Sequence, residues 1–564
     1  MQNMKRKLDQ IEISHISQLE DVELVSNIVY NGEERYINDE VVKQFSQKVS
    51  KKYPNLQGLK LKFERSYIKV EGFKCLGKLF KGLQNLKYLY LDLFNAGITT
   101  YDIHEIASAT QQCMQLSYYH IYIKQLTQVE SSDFTLLITS VKDLPLLYDF
   151  GIEIQNIILE NETFSNLNQN IKNFYCHLNF CTINDDYSLE YLKIFLKQNY
   201  KQLQSVILKF SDTFLSQQNF QCIQYCLENK QLLTVEIQVE DCELELDGDY
   251  FINRLKRLQN LQNLNINFCG NKLTYKSDNK KSSEDKKIKS LKKLVINLER
   301  VKLAEKNCIQ FLNNFTSNLG LQELSLNFNG LNYRSDFFVD LGDFIKKQVS
   351  LGELSLVMQI SCSDFQKLIE DITFNKQSLK KIHLDCRYVI SKNENAVEEK
   401  YQLSSLNNIK SLQSLTFLTR NIGFGQDDVI DLIDKLRLNT RIKSFVCYSM
   451  DQKKNVNSIS NLCNYFINLP YQFDRISIIF GVSEKLLKQS DILLDQIELT
   501  MHRLGYIISL QSIEVIESKY SMNKAFKNFQ RSITIQILQC LAFKIQIFNQ
   551  LTYNPIFIYQ DLFV

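Results

Sequence analysis

Residues 321–329 read LQELSLNFN, with apolar side chains at Leu321, Leu324, Leu326 and Phe328 and polar ones between them. The last three alternate with polar neighbours, which is the period-two signature of a strand with one buried face. The same phrase recurs as LQGLKLKF from 56, LKYLYLDL from 86, LQSVILKF from 203, LQNLNINF from 261, LKKLVINL from 291 and LGELSLVM from 351. All copies obey one template, apolar at positions 1, 4, 6 and 8. Degenerate copies start at Leu116, Leu147, Ile171, Leu232, Leu379, Leu412, Ile442, Phe473 and Leu510. The sixteen starts are about 30 residues apart on average, a period that marks a repeat architecture.

The residues between the phrases follow a different rhythm. In VIDLIDKLRL, apolar side chains fall at Val429, Ile430, Leu432, Ile433 and Leu436, and in DFQKLIEDI at Phe365, Leu368, Ile369 and Ile372. Spacings of three and four draw one stripe along a helix. Pro54, Pro145 and Pro470 stand just before a strand start, where a helix must end, and Gly97, Gly270, Gly330 and Gly423 stand just after a strand, where the chain must turn. Each unit therefore reads strand, turn, helix, turn. One unit alone cannot fold: seven buried side chains at roughly 2 kcal/mol each do not offset the ordering of thirty residues at about 1–2 kcal/mol apiece. Stacked neighbours supply the missing burial, and the chain is expected to form a quasi-one-dimensional solenoid.

The phrase resembles the leucine-rich repeat family, and the repeat length and helical segments look most like its ribonuclease-inhibitor subtype. The pattern LxxLxLxxN is complete at LQELSLNFN, with Asn329 at the ladder position. Cys269 is the accepted substitute there, whereas Glu64, Phe94, Ser211, Glu299 and Arg387 depart from the pattern and put the regular side-chain ladder in question. The resemblance implies an α/β fold, a curved horseshoe with a parallel sheet on its concave face and helices on its convex face, about 16 repeats of about 30 residues over 56–520. The relaxed style, rich in Asn, Gln, Lys and Ile, resembles that of protist proteins.

Outside the repeats, residues 1–55 lack the phrase and are expected to cap the first repeat, with VVKQFSQKVSKKY as a helix before the first strand. Residues 521–564 are expected to form a C-terminal cap or interaction segment. Within them ITIQILQCLAFKIQIF (533–548) is shorter than a bilayer requires and is interrupted by Gln536, Gln539, Lys544 and Gln546, so no membrane span is expected. The stretch TYKSDNKKSSEDKKIKS (274–290) replaces the helix of its repeat and reads as a flexible insertion, tolerated or used for docking or phosphorylation.

Composition narrows the function classes. The 564 residues carry 66 Lys and Arg against 63 Asp and Glu, a formal net charge of +3, with 44% hydrophobic content. That balance lacks the clustered positive charge of a general nucleic-acid binder. The 14 cysteines lie among hydrophobic segments, and the first residues contain no apolar core of the length a secretion signal needs, so reduced thiols and an intracellular, cytoplasmic or nuclear location are expected. Neither Cys222 with Cys226 nor Cys176 with Cys181 has the spacing or the second pair of a zinc site, and no metal or cofactor is implied.

With positions 4, 6 and 8 buried, positions 3, 5 and 7 project from the concave face. Repeats 2 to 5 place Tyr88, Tyr90, Tyr118, His120, Tyr122, Tyr175 and His177 there, together with Asp92 and Glu153. Repeats 8 to 10 place Asn263, Asn265, Asn267, Asn297 and Asn327 there instead. Tyrosine on a rigid sheet gives large contact area at low entropic cost, and it is enriched at binding hot spots. Tyrosine is also common throughout this chain, with 28 copies, and strands favour aromatics. His177 and Glu153 share position 7 of adjacent repeats and are placed to touch as a base and its orienting carboxylate. No nucleophile at a strained turn and no Gly-rich phosphate loop accompanies them, and the trio His383, Asp385 and Arg387 reads equally as a surface ion pair.

The reading these features support is a non-enzymatic scaffold that binds an unnamed protein partner through the tyrosine-rich patch, with no small-molecule substrate. Two other classes are implied by resemblance. One family of GTPase activators is similar to this repeat subtype and supplies a catalytic arginine from a loop at a strand exit, where Arg65 and Arg420 stand. Telomerase-associated ribonucleoprotein subunits of protists look similar in composition, and a basic concave stripe would favour that class.

Overall fold

The computed structural model describes residues 8–13, 25–31, 37–63, 68–93, 97–123, 130–183, 188–199, 201–274, 290–315, 320–331, 333–374, 377–387, 404–419, 426–436, 442, 444–449, 475–482, 507–512 and 533–534. Contacts divide the chain into two compact units, Met1–Asn318 and Leu319–Val564.

The first unit holds strands β1 (Leu8–Ile13), β2 (Val25–Asn31), β3 (Gly58–Lys62), β4 (Tyr88–Asp92), β5 (Tyr118–Ile123), β6 (Asp149–Gln155), β7 (Ile158–Leu159), β8 (Asn173–Asn179), β9 (Thr182–Ile183), β10 (Ser205–Ser211), β11 (Thr234–Glu240), β12 (Glu245–Asp247), β13 (Asn263–Asn267), β14 (Lys272–Thr274) and β15 (Lys293–Asn297). Apart from the short β7–β9 and β12–β14 pairs, each strand pairs in parallel with the next along the chain. The registers align equal phrase positions, Leu59 beside Leu89 and Leu208 beside Ile237. Helices fill the gaps between strands, among them α1 (Asp39–Lys52), α2 (Val70–Gly82), α3 (Thr100–Thr110), α4 (Ser131–Thr139), α5 (Glu190–Gln198), α6 (Gln217–Gln224), α7 (Gly248–Leu255) and α8 (Glu305–Asn313).

The second unit repeats the plan. Strands β16 (Glu323–Asn327), β17 (Glu353–Gln359), β18 (Lys381–Arg387), β19 (Ser414–Thr419), β20 (Ser444–Ser449), β21 (Arg475–Val482) and β22 (Ile507–Ser512) pair in parallel and in order, and β23 (Ile533–Thr534) adds antiparallel to β22. Helices α9 (Ser335–Lys346), α10 (Cys362–Thr373) and α11 (Gln426–Leu436) lie between strands, and α10 and α11 cover the two stripes read from sequence. One parallel strand per coil, with a helical segment in most of the described connections, is the architecture of a leucine-rich repeat solenoid.

Positions 4, 6 and 8 form the core. Leu59, Leu61 and Phe63, and likewise Val206, Leu208 and Phe210, are fully buried, while the residues between them are half-buried. The buried side chains meet the helices: Phe174 of β8 lies 5.1 Å from Phe195 of α5, and Phe328 packs edge-on at 5.4 Å against Phe337 of α9. Positions 3, 5 and 7 therefore occupy the face of the sheet opposite the helices.

The structure corrects four readings. Residues 1–55 contain not only helix α1 but strands β1 and β2, and β2 pairs with β3, so the sheet extends past the first phrase. The coil that starts at Leu147 is too short for an α-helix and carries the 3-10 turn Asn161–Phe164 in its place. The last phrase starts at 503 rather than at Leu510, because Leu510 pairs with Phe480, which is position 8 of its own coil. Apolar alternation alone does not separate these phases.

The fourth correction concerns the ladder. In the coils from 147 to 291 the chain turns at position 10, where Asn156, Phe180, Asp212, Asp241, Gly270 and Arg300 all adopt left-handed φ between 47 and 75°. The N–H at that position donates to the position-9 carbonyl of the next coil, as from Asp212 to Glu240 and from Asp241 to Cys269 at 2.9 Å. The following side chain then points inward. Cys181, Thr213, Cys242 and Asn271 donate to the position-8 carbonyl of the preceding coil, Ile154, Leu178, Phe210 and Val239 respectively, at 3.7, 3.1, 3.6 and 2.7 Å. In these four coils the carbonyl-satisfying ladder thus stands at position 11 and not at position 9. Cys, Thr and Asn share the work because each carries a short donor. Burial holds the Cys242 thiol up at about 12, so these cysteines are structural.

The insertion 275–289, the apolar stretch from 535 to 548, Arg65 and Arg420 lie outside the described residues. Among the described residues no helix is long and apolar enough to cross a membrane.

Candidate functional site

Strands β4, β5, β6, β8 and β10 present a grid of three rows on the helix-free face. Row 3 runs Tyr88, Tyr118, Asp149, Asn173, Ser205; row 5 runs Tyr90, His120, Gly151, Tyr175, Ile207; row 7 runs Asp92, Tyr122, Glu153, His177, Lys209. All eight residues singled out from sequence, Tyr88, Tyr90, Tyr118, His120, Tyr122, Glu153, Tyr175 and His177, fall in this grid, and all are drawn into contact.

The rings form one layer. Tyr88 stacks on Tyr118 with centroids 4.2 Å apart, Tyr118 on His120 at 4.3 Å, and Tyr90 meets Tyr122 at 4.9 Å. The layer crosses β6, since His120 and Tyr122 reach Tyr175 at 6.0 and 6.1 Å. Gly151 makes this crossing possible. A Cβ there would sit 2.4 Å from His120 Nδ1, so only a bare backbone lets the imidazole lie over the strand.

Two carboxylates hold the layer in place. His120 Nε2 donates to Asp149 Oδ1 at 2.7 Å, and Asn173 Nδ2 donates to Asp149 Oδ2 at 2.8 Å. Tyr175 donates its hydroxyl proton to Glu153 Oε2 at 2.9 Å, and His177 Nδ1 lies 3.3 Å from Glu153 Oε1. The expected His177–Glu153 contact is therefore present. At the two ends the chain's own lysines rest on rings, Lys60 Nζ 4.6 Å from the centre of Tyr90 and Lys209 Nζ 5.8 Å from that of Tyr175. Lys209 is also paired with Glu236 at 2.7 Å.

The field over the rings is negative. Burial, and after it Glu153 and Asp92, push the Tyr122 hydroxyl up to about 12. Tyr90 is raised by burial and then by Tyr122, Asp92 and Glu153; Tyr118 by burial, then Tyr88 and Asp149; Tyr175 by burial and then Glu153. Both burial and nearby anions disfavour a phenolate.

The reading from sequence missed Asp149, Asn173 and Gly151. Their signal was available, since each stands at position 3 or 5 of a recognised phrase. It also missed Ser211, whose hydroxyl lies 3.4 Å from His177 Nε2. Ser211, His177 and Glu153 line up like a nucleophile, base and orienting acid. Of the neighbouring backbone amides, the Asp212 N–H is bonded to Glu240 and the Phe180 N–H to the Ser211 carbonyl itself, so neither serves as an oxyanion donor. Elsewhere, His383 and Asp385 share β18, where burial lowers the His383 pKa, and Arg387 ends that strand. Among the described residues no three His, Cys, Asp or Glu side chains converge as a metal site.

No family model and no curated protein matches the chain. Among solved structures, a chain of the Rad7–Elc1 complex from yeast is similar at 16% identity and a TM-score of 0.38, covering 80% of this chain and 81% of that one. The leucine-rich repeat-containing protein LegL7 from Legionella pneumophila is similar at 11% identity and a TM-score of 0.29, covering 73% of this chain and 97% of that one. At these scores neither likeness bears on function, and the fold assignment rests on the coils themselves.

Proposed function

We propose that the protein is a non-enzymatic interaction scaffold and that the Tyr/His layer on β4, β5, β6 and β8 is its protein-docking face. The observation that supports this reading is the layer itself: five tyrosines and a histidine pre-stacked on a rigid sheet, on the side that the helices leave uncovered. Binding to such a face immobilises few rotamers, so contact area converts into affinity at low entropic cost. Residues 1–55 would cap the first coils and 521–564 would close the other end, as the sequence suggests.

The RNA-binding alternative is not favoured, since Asp92, Asp149 and Glu153 sit where a basic stripe would be required. The reading is tested by capture of partners from a native extract with the wild-type chain and with Tyr90→Ala/Tyr122→Ala. Loss of about 2 kcal/mol or more in affinity for the captured protein is expected of hot-spot residues. Equal capture by both chains would remove this face from consideration.

A further inference from the structure

We propose that the middle of this face receives an arginine side chain carried by an extended segment of the partner. This deepens the docking-face reading and rests on it. The receiving site is an open depression of about 330 Å³ bounded by Tyr118, His120, Asp149, Asn173, Phe174, Tyr175, Ser205 and Ile207. Tyr118, His120 and Tyr175 border it, the first two stacked with planes 8° apart and His120 6.0 Å from Tyr175, and Ile207 follows Tyr175 in row 5. Asp149 lies in row 3, with Asn173 and Ser205 beyond it. The depression thus offers aromatic side chains and a carboxylate next to one another, the two kinds of surface that the stem and guanidinium of an arginine side chain take.

Asp149 is equipped for this. Each of its oxygens accepts one bond from within the fold, leaving about two of the four acceptor positions of a carboxylate, and the side chain remains 19% exposed. Being already fixed by His120 and Asn173, it loses no rotamer freedom when a guanidinium arrives. The fold shows what the layer attracts at its margins, where Lys60 sits on Tyr90 and Lys209 on Tyr175. Between those margins the grid carries the carboxylates Asp92 on β4 and Asp149 and Glu153 on β6, which act on Tyr90, Tyr118, Tyr122 and Tyr175 as a local negative potential. A planar cation satisfies that field, whereas an acidic segment would be repelled.

The size of the partner element follows from strand spacing. From β4 to β8 is three steps of about 4.8 Å, or ~14 Å, which four or five extended residues span at about 3.3 Å each.

Displayed random peptides selected on the full-length protein provide the test, each selected peptide then being titrated against wild type, Asp149→Asn and Tyr90→Ala/Tyr175→Ala. Circular dichroism checks that the variants keep their fold. The expected result is enrichment of arginine in the selected peptides, loss of about ten-fold or more in affinity on Asp149→Asn, and the same loss on replacing the peptide arginine by glutamine, the two losses failing to add. Peptides that depend on the tyrosines but carry no basic residue and ignore Asp149→Asn would overturn the inference while leaving the docking face standing. Peptides indifferent to the tyrosines as well would overturn both.

Discussion

Replacing Gly151 by alanine isolates the feature on which the aromatic layer depends. Gly151 lies in an ordinary extended strand, so alanine itself is compatible with the backbone and should stabilise by about 0.5–1 kcal/mol. The new methyl group, however, would lie 2.4, 2.5 and 2.6 Å from three atoms of the His120 ring, which must swing away. That movement breaks the 2.7 Å bond to Asp149, a charge-assisted contact of about 1.5–3 kcal/mol, and the 4.3 Å stack on Tyr118, about 0.5–1.5 kcal/mol. Less the gain from alanine, a net loss of about 2 kcal/mol is expected. In a His120→Ala background there is nothing to displace, and the same substitution should then stabilise. A double-mutant cycle measures the reversal by urea denaturation, with hydrogen exchange of the β5, β6 and β8 amides as the local readout, because a long repeat protein need not unfold in one step. An equal loss from Gly151→Ala in both backgrounds would refute the account of the crossing.

Three further outcomes are expected. Asn271→Ala removes donors to Val239, Phe268 and Cys269 and an acceptor for the Leu244 N–H, all buried, and should cost about 2–4 kcal/mol in thermal or urea stability; a change below about 0.5 kcal/mol would mean that position 11 is not a ladder. Phe180→Gly relieves a left-handed phenylalanine that is 52% exposed and should raise stability by about 0.5–1 kcal/mol, so a lowered melting temperature would show that the side chain makes stabilising contacts. Tyr122 ionises at about 12 in the fold and near 10 when unfolded, so the folded state holds its proton longer; its contribution is complete below pH 10 and is lost as pH rises towards 12. An alkaline titration by tyrosinate absorbance should show a late-ionising group that Tyr122→Phe deletes, and an unchanged curve would contradict the burial of that hydroxyl.

How far the site was legible can be argued from single residues. Position 5 of one coil is position 5 of the next, so Tyr90, His120 and Tyr175 were known to share a row before any coordinates. Their stacking was not, because it depends on Gly151 being flat enough to cross, and Asp149 looked like any acidic residue until His120 reached it. The ladder was misplaced by two residues for a related reason. LQELSLNFN suggests a turn at Asn329, whereas strands such as β8 and β10 run seven residues and turn later, at a position fixed by hydrogen bonds between coils.

Sequence by itself determined the repeat, the strand phase in fifteen of sixteen coils, the buried positions and the composition of the open face. These follow from local periodicity, which one chain segment carries alone. Tertiary structure decided where each coil turns, which short donor satisfies the preceding coil's carbonyl, and how the tyrosines, histidines and carboxylates combine into one negative, aromatic surface. Those outcomes depend on neighbours about thirty residues away along the chain but only about 4.8 Å away in space, and such contacts have no signature until the coils stack.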